Sequence, residues 1–186
     1  MDKIYKAVTL KKVAVALFCI FQLSLLPIII NGFYAQPQVD DFSFGQPIHE
    51  ALEEGKSPLN VINVAIKTTV RMYNNWQGNF SASLLNSFQP AALSPSLYFL
   101  TTIFMLIMII LPTFLLLRTL FVKMCRVDWR YVLIVGVPLL FLCTQYMVSV
   151  VEGLFWYVGA VVYVGFYGLM LLFVNAVLRL YILPTL

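Results

Sequence analysis

Four stretches of this sequence are too long and too apolar to serve as core elements of a water-soluble domain. They run from about Val13 to Ile30, from Ser96 to Leu117, from Tyr131 to Val150 and from Val158 to Leu178, each without a charged side chain. About 20 such residues, at 1.5 Å per residue, cross a hydrocarbon core of roughly 30 Å. A chain that is 61% hydrophobic and 11% charged belongs with multispanning helical membrane proteins. The expected fold is therefore an all-α integral membrane protein with four transmembrane helices, about 13–31, 96–117, 131–150 and 158–178, forming one membrane domain over 1–186. Pro27, Pro112 and Pro138 are expected to bend these helices. A basic start followed by an apolar run also describes a signal peptide. This run is long for one, and Phe33-Tyr34-Ala35 is a poor small-residue cleavage site, so it reads as an uncleaved first span.

The bases set the topology. Lys3, Lys6, Lys11 and Lys12 precede the first span. Arg118, Lys123, Arg126 and Arg130 crowd the connection between the second and third, and Arg179 closes the fourth. Positive-inside logic puts these regions, and both termini, in the cytoplasm. The segment 34–94 and the turn at Glu152 then lie outside, with six of the eight acids. A net charge of +4 distributed in this way is a sorting signal, not a nucleic-acid footprint. Membrane lipids are the expected surroundings. Cys19 and Cys143 fall in spans and Cys125 in the basic connection, which gives neither a disulfide framework nor metal-binding spacing.

The external segment 34–94 has the signals of a folded cap made of short interfacial helices. Pro47 opens and Gly55 closes one expected helix. Ser57-Pro58 opens a second, to about Asn74, whose Leu59, Ile62, Ile66, Val70 and Tyr73 recur at steps of three and four. With Asn60, Asn63, Lys67, Thr68 and Arg71 elsewhere around it, this helix suits a membrane interface, its apolar stripe on lipid or on the membrane domain. A third is expected from Ser81 to Phe88, before Pro90.

Three constellations in these outer regions are candidates for chemistry. Asp40 and Asp41 follow the first span; neighbouring side chains diverge, so one acid can face a cavity while the other bonds locally. A carboxylate beside a low-dielectric wall has its proton affinity raised and suits a general base, whereas the plainer reading of the pair is a solvated polar turn. Trp76-Gln77-Gly78-Asn79 offers the stacking and amide bonds that sugars need, and equally describes an interfacial aromatic anchor followed by a turn. Glu152, with Phe155, Trp156 and Tyr157, is either a solvated acid beside an aromatic belt or a second wall of the same outer cavity. His49 is the only histidine, so a multi-His metal site is excluded. No Gly-rich phosphate loop, nucleophile elbow or His-Glu-x-x-His motif occurs, and no cofactor is called for.

Three stretches together carry a resemblance. They are Asp40-Asp41-Phe42-Ser43-Phe44-Gly45, then Trp76-Gln77-Gly78-Asn79-Phe80, then the run from Glu152 to Tyr163. In this order, on one face of the membrane, they resemble the GT-C superfamily of integral membrane glycosyltransferases, and more narrowly a group of bacterial GT-C-like proteins. The resemblance implies transfer of a sugar from a polyprenyl-phosphate-linked donor at the outer face of a bacterial plasma membrane. It implies Asp40 as the acid that deprotonates or orients the acceptor, with Asp41 as its partner. Trp76, Gln77 and Asn79 would line the sugar pocket together with Glu152 and Trp156, and Arg71 or Lys67 would hold the donor phosphate. Asn79 stands where the family commonly has Arg. Family members also have more spans than four, which makes the chain an expected N-terminal part or a reduced relative. The alternative is a non-catalytic four-span protein that binds a lipid-linked sugar or a membrane partner.

Overall fold

The computed structural model describes residues 9–182, and among them all regular structure is helical. Lys3 and Lys6, part of the expected cytoplasmic tail, lie outside the described residues. Among the described residues three helices are long and apolar enough to cross a membrane: Leu10–Gly32, Pro95–Met124 and Tyr157–Ile182. The expected third span is shorter than its apolar run. Its helix, Trp129–Gln145, has 17 residues, or about 25 Å of rise. It stops where Gln145 turns its side-chain amide onto the Ser24 carbonyl at 2.9 Å, and Tyr146 leaves helical geometry.

The elements are α1 (Leu10–Gly32), α2 (Asp40–Glu53), α3 (Pro58–Asn75), α4 (Phe80–Ser87), the single turn α5 (Pro90–Leu93), α6 (Leu100–Leu117), α7 (Trp129–Gln145), the short α8 (Tyr157–Ala160) and α9 (Phe166–Ile182). Wider, π-type turns extend α6 over Arg118–Met124 and join α8 to α9 over Val161–Gly165. The chain forms two compact units. One takes residues 9–28, Ile107–Val148 and 167–182; the other takes Ile29–Leu106 and Ser149–Phe166.

The first unit is built from long apolar helices whose few polar side chains bond within it. The Thr119 hydroxyl meets the Asn175 side-chain carbonyl at 2.6 Å, and Thr113 returns its hydroxyl to the Ile109 carbonyl at 2.6 Å. Such groups need protein partners because hydrocarbon offers none. Glycine allows close approach: Gly168 sits against the Met108 carbonyl, and a methyl group there would overlap it.

The second unit holds α2 to α5. Its core is Ile48, Ala51, Val61, Ala65 and Ala92, with Val64 and Leu84 packed beside it. Helix α2 starts at Asp40, well before the expected Pro47. The reason is a buried stripe, Asp41, Phe44, Ile48 and Ala51, which continues at helical spacing straight past the proline. Pro47 has no N–H, so the Ser43 carbonyl one turn back lacks its helical donor. Arg71 of α3 supplies one, with Nη2 at 3.3 Å. The far end is as expected: Gly55 takes φ 68°, and the N–H groups of Gly55 and Lys56 return to the carbonyls of Leu52 and Ala51 in a Schellman motif.

Helix α3 runs from Pro58 to Asn75, close to expectation, but the face it packs on protein is Val61, Ala65, Thr68, Thr69 and Met72. Thr68, expected on the polar side, is buried. The stripe Leu59, Ile62, Ile66, Val70 and Tyr73 is exposed. Ala65→Asp is expected to destabilise the second unit by at least about 3 kcal/mol, since it places an unpaired charge at a fully buried site. Ile62→Asp should stay within about 0.5 kcal/mol for folding. Limited proteolysis across residues 34–94 reads the difference, with rapid cleavage expected only for Ala65→Asp.

Candidate functional site

The two aspartates are placed in the first turn of α2, where the helix dipole favours negative charge. The residue before them, Val39, is a β-branched side chain at φ 32°, a left-handed conformation that is costly for its type. The chain is thus turned sharply just where the acid pair begins, and the two carboxylates diverge.

Asp41 points inward and is fully buried. Its carboxylate accepts the Tyr98 hydroxyl and the Gln38 N–H (3.0 Å) on one oxygen, and the Val158 N–H (3.1 Å) on the other. The Tyr98 oxygen in turn accepts the Tyr157 N–H at 3.1 Å. Asp41 and Tyr98 together satisfy the first free N–H groups of α8, the task of an N-cap, from two distant points of the sequence. Gln89 donates to the Asp41 backbone carbonyl across Gly45, whose missing Cβ leaves room for the amide. Burial pushes the Asp41 carboxyl above the usual carboxylate range. The bonds from Tyr98, Gln38 and Val158 pull the other way and do not cancel it.

Asp40 points the other way and is partly exposed. Burial raises its carboxyl as well. It lines a cleft with Trp76, Gln77 and Asn79, so four of the residues singled out in the sequence meet in one place. Phe44, Met72, Val158 and Val162 supply the apolar walls, and Ser83 and Asn86 of α4 add polar groups. The amides are pre-set by one another. Asn79 donates to the Gln77 side chain at 2.9 Å and accepts the Ser83 hydroxyl at 2.8 Å. Asn86 is 2% exposed, and its side-chain oxygen has no partner among the described residues. A buried acceptor left open costs free energy unless something brings it a donor. The cleft has a volume of about 30 Å³, room for about one water molecule.

The remaining expected site residues are elsewhere. Arg71 lines a neighbouring cavity of about 650 Å³ with Ser43, Glu50 and Asn75; Met72 belongs to the walls of both. Lys67 is exposed on α3. Glu152 is exposed, and Trp156 packs its ring over Gly159; neither lines the cleft. Among the described residues no group of three His, Cys, Asp or Glu side chains is placed to hold a metal ion. Sequence reasoning misses Tyr98, Ser83 and Asn86. The signal for the last two is an inverted helix: α4 buries Ser83, Asn86 and Ser87 while Leu85 and Phe88 are exposed. Compared with family models, curated proteins and solved structures, the chain matches none.

Asp41→Asn replaces one acceptor oxygen by a donor that faces N–H or O–H groups. It is expected to cost about 1–3 kcal/mol, the usual penalty of a buried hydrogen-bonding group left unmatched. Asp40→Asn should leave folding nearly unchanged. Thermal unfolding of the purified protein in detergent checks both. The raised Asp41 carboxyl also has a sign: the folded state holds that proton more tightly than the unfolded state. Its contribution to stability therefore falls as pH rises from the ordinary carboxylate range to the raised value, and levels off above it. Asp41→Asn should remove this slope.

Proposed function

We propose that this chain acts in sugar transfer at the outer face of a bacterial plasma membrane, as a GT-C-like glycosyltransferase with a polyprenyl-phosphate-linked donor. In this reading α7 is a fourth crossing, both termini are cytoplasmic, and residues 34–94 are external. The observation that carries the proposal is the division of labour within the acid pair. Asp41 is consumed by structure, which leaves Asp40 as the open carboxylate, facing Trp76, Gln77, Asn79 and the unpartnered Asn86.

In the reaction an acceptor hydroxyl loses its proton to Asp40 as its oxygen bonds to the anomeric carbon of the sugar. The bond from that carbon to the phosphate oxygen breaks, and polyprenyl phosphate leaves. A carboxyl raised by burial is better matched to taking up a proton near neutrality. Trp76 offers an aromatic face, and the amides of Gln77, Asn79 and Asn86 offer donors and acceptors for ring hydroxyls. Arg71 lies in the wider cavity across Met72, where its guanidinium can meet the donor phosphate. Binding then requires Met72 to yield, since the cleft at about 30 Å³ is smaller than a sugar ring. That same smallness favours the second reading, a four-span protein that holds a lipid-linked sugar without turning it over.

Single cysteines at Ser43 and Ser57, in a cysteine-free background, are expected to react with an impermeant thiol reagent in intact cells. Labelling only after permeabilisation would reverse the topology. In membranes containing the active protein, Asp40→Asn is expected to lower sugar transfer by about 10²–10⁴, the usual worth of a positioned acid or base, with donor binding little changed. Unaltered turnover would eliminate Asp40 as the base. Donor binding by the wild-type chain with no transfer would favour the binding protein.

A further inference from the structure

The first unit contains a groove that the sugar-transfer reading does not use. It lies between the last turns of α6 with their π-type extension and the start of α7, and it has a volume of about 490 Å³. Phe114, Leu115, Val122, Val132 and Leu133 make it almost wholly apolar. Two side chains break that character, Arg118 and Trp129, and both are exposed. Among the described residues no hydrogen bond or ion pair reaches the Arg118 guanidinium. The same holds for the side chains of Lys123 and Arg126 on the connection that follows. The single acid of this stretch, Asp128, is already engaged. It caps α7 by accepting the Arg130 N–H at 2.9 Å, and it lies 3.6 Å from the Arg130 Nε.

An apolar slot beside an unpaired guanidinium matches a molecule with a hydrocarbon tail and an anionic head. The slot is formed by a helix long and apolar enough to cross a membrane, so its surroundings already contain such molecules. We infer that this groove is a binding site for an anionic phospholipid. One acyl chain lies along Leu115, Val122 and Leu133, and the phosphate is held by Arg118. A guanidinium takes two phosphate oxygens in a fork geometry that a point charge does not reproduce. Trp129 has the amphipathic ring suited to the head-group depth. The π-type turns of Arg118–Met124 belong to the same feature, since such widened turns are frequent at functional sites.

The test uses the full chain reconstituted in phosphatidylcholine bilayers, with phosphatidylglycerol brominated on its acyl chains as quencher. Subtracting the fluorescence of a Trp129→Phe variant isolates the signal of Trp129. Brominated phosphatidylglycerol is expected to quench Trp129 with about five-fold preference over brominated phosphatidylcholine, in keeping with one cation near the surface. Arg118→Gln should abolish the preference while both lipids still quench equally, which shows the groove intact, and Arg118→Lys should retain part of it. Inorganic phosphate added as competitor should change nothing. Equal quenching by the two lipids in the wild-type chain would overturn the inference, as would a preference that survives Arg118→Gln. Displacement by inorganic phosphate would assign the cation to a soluble anion and overturn it too.

Discussion

A carboxylate sealed away from water is expensive, and the second unit is arranged so that Asp41 meets that cost. Three donors converge on it from the chain just before it, from Tyr98 and from the first turn of α8. Remove the charge pattern and the start of α8 loses its cap, while Tyr98 loses the group that orients its hydroxyl between an acceptor and a donor. Asp41 thereby fixes α2, and with α2 the direction of Asp40. The orientation of the open acid is a by-product of the burial of its neighbour.

Much of the architecture is legible because hydrocarbon leaves so few choices. The uncharged runs give the long apolar helices, and Ser57-Pro58 and Gly55 mark helix ends that the structure keeps. The failures have physical causes. Pro47 reads as a helix start because a proline within a helix forfeits a hydrogen bond. No local pattern shows that Arg71, distant in sequence, replaces the missing donor. The run through Val150 reads as helix throughout because none of it is charged, whereas the bond from Gln145 to Ser24 is invisible to a hydropathy count.

The candidate site is legible in part. Asp40, Trp76, Gln77 and Asn79 carry chemical signatures and meet in one cleft. Ser83 and Asn86 carry none alone, and only the inversion of α4, with polar side chains inward and Leu85 and Phe88 outward, marks them. Helix α3 does the same with Thr68 and Thr69. Both helices also bury apolar side chains, Ala82 in α4 and Val61, Ala65 and Met72 in α3, so the inward face mixes the two kinds and hydropathy alone does not mark it.

The bond from Arg71 to Ser43 ties two positions that no periodicity relates. As long as residue 47 is proline, Nη2 of Arg71 repairs the backbone while the side chain lines the wider cavity; with any other residue at 47, α2 would supply its own N–H and that nitrogen would be free as well. Positions 47 and 71 therefore share one constraint. Among related chains the two are expected to change together, and a lone change at either would show which of its tasks, repairing a helix or facing a cavity, selection has kept.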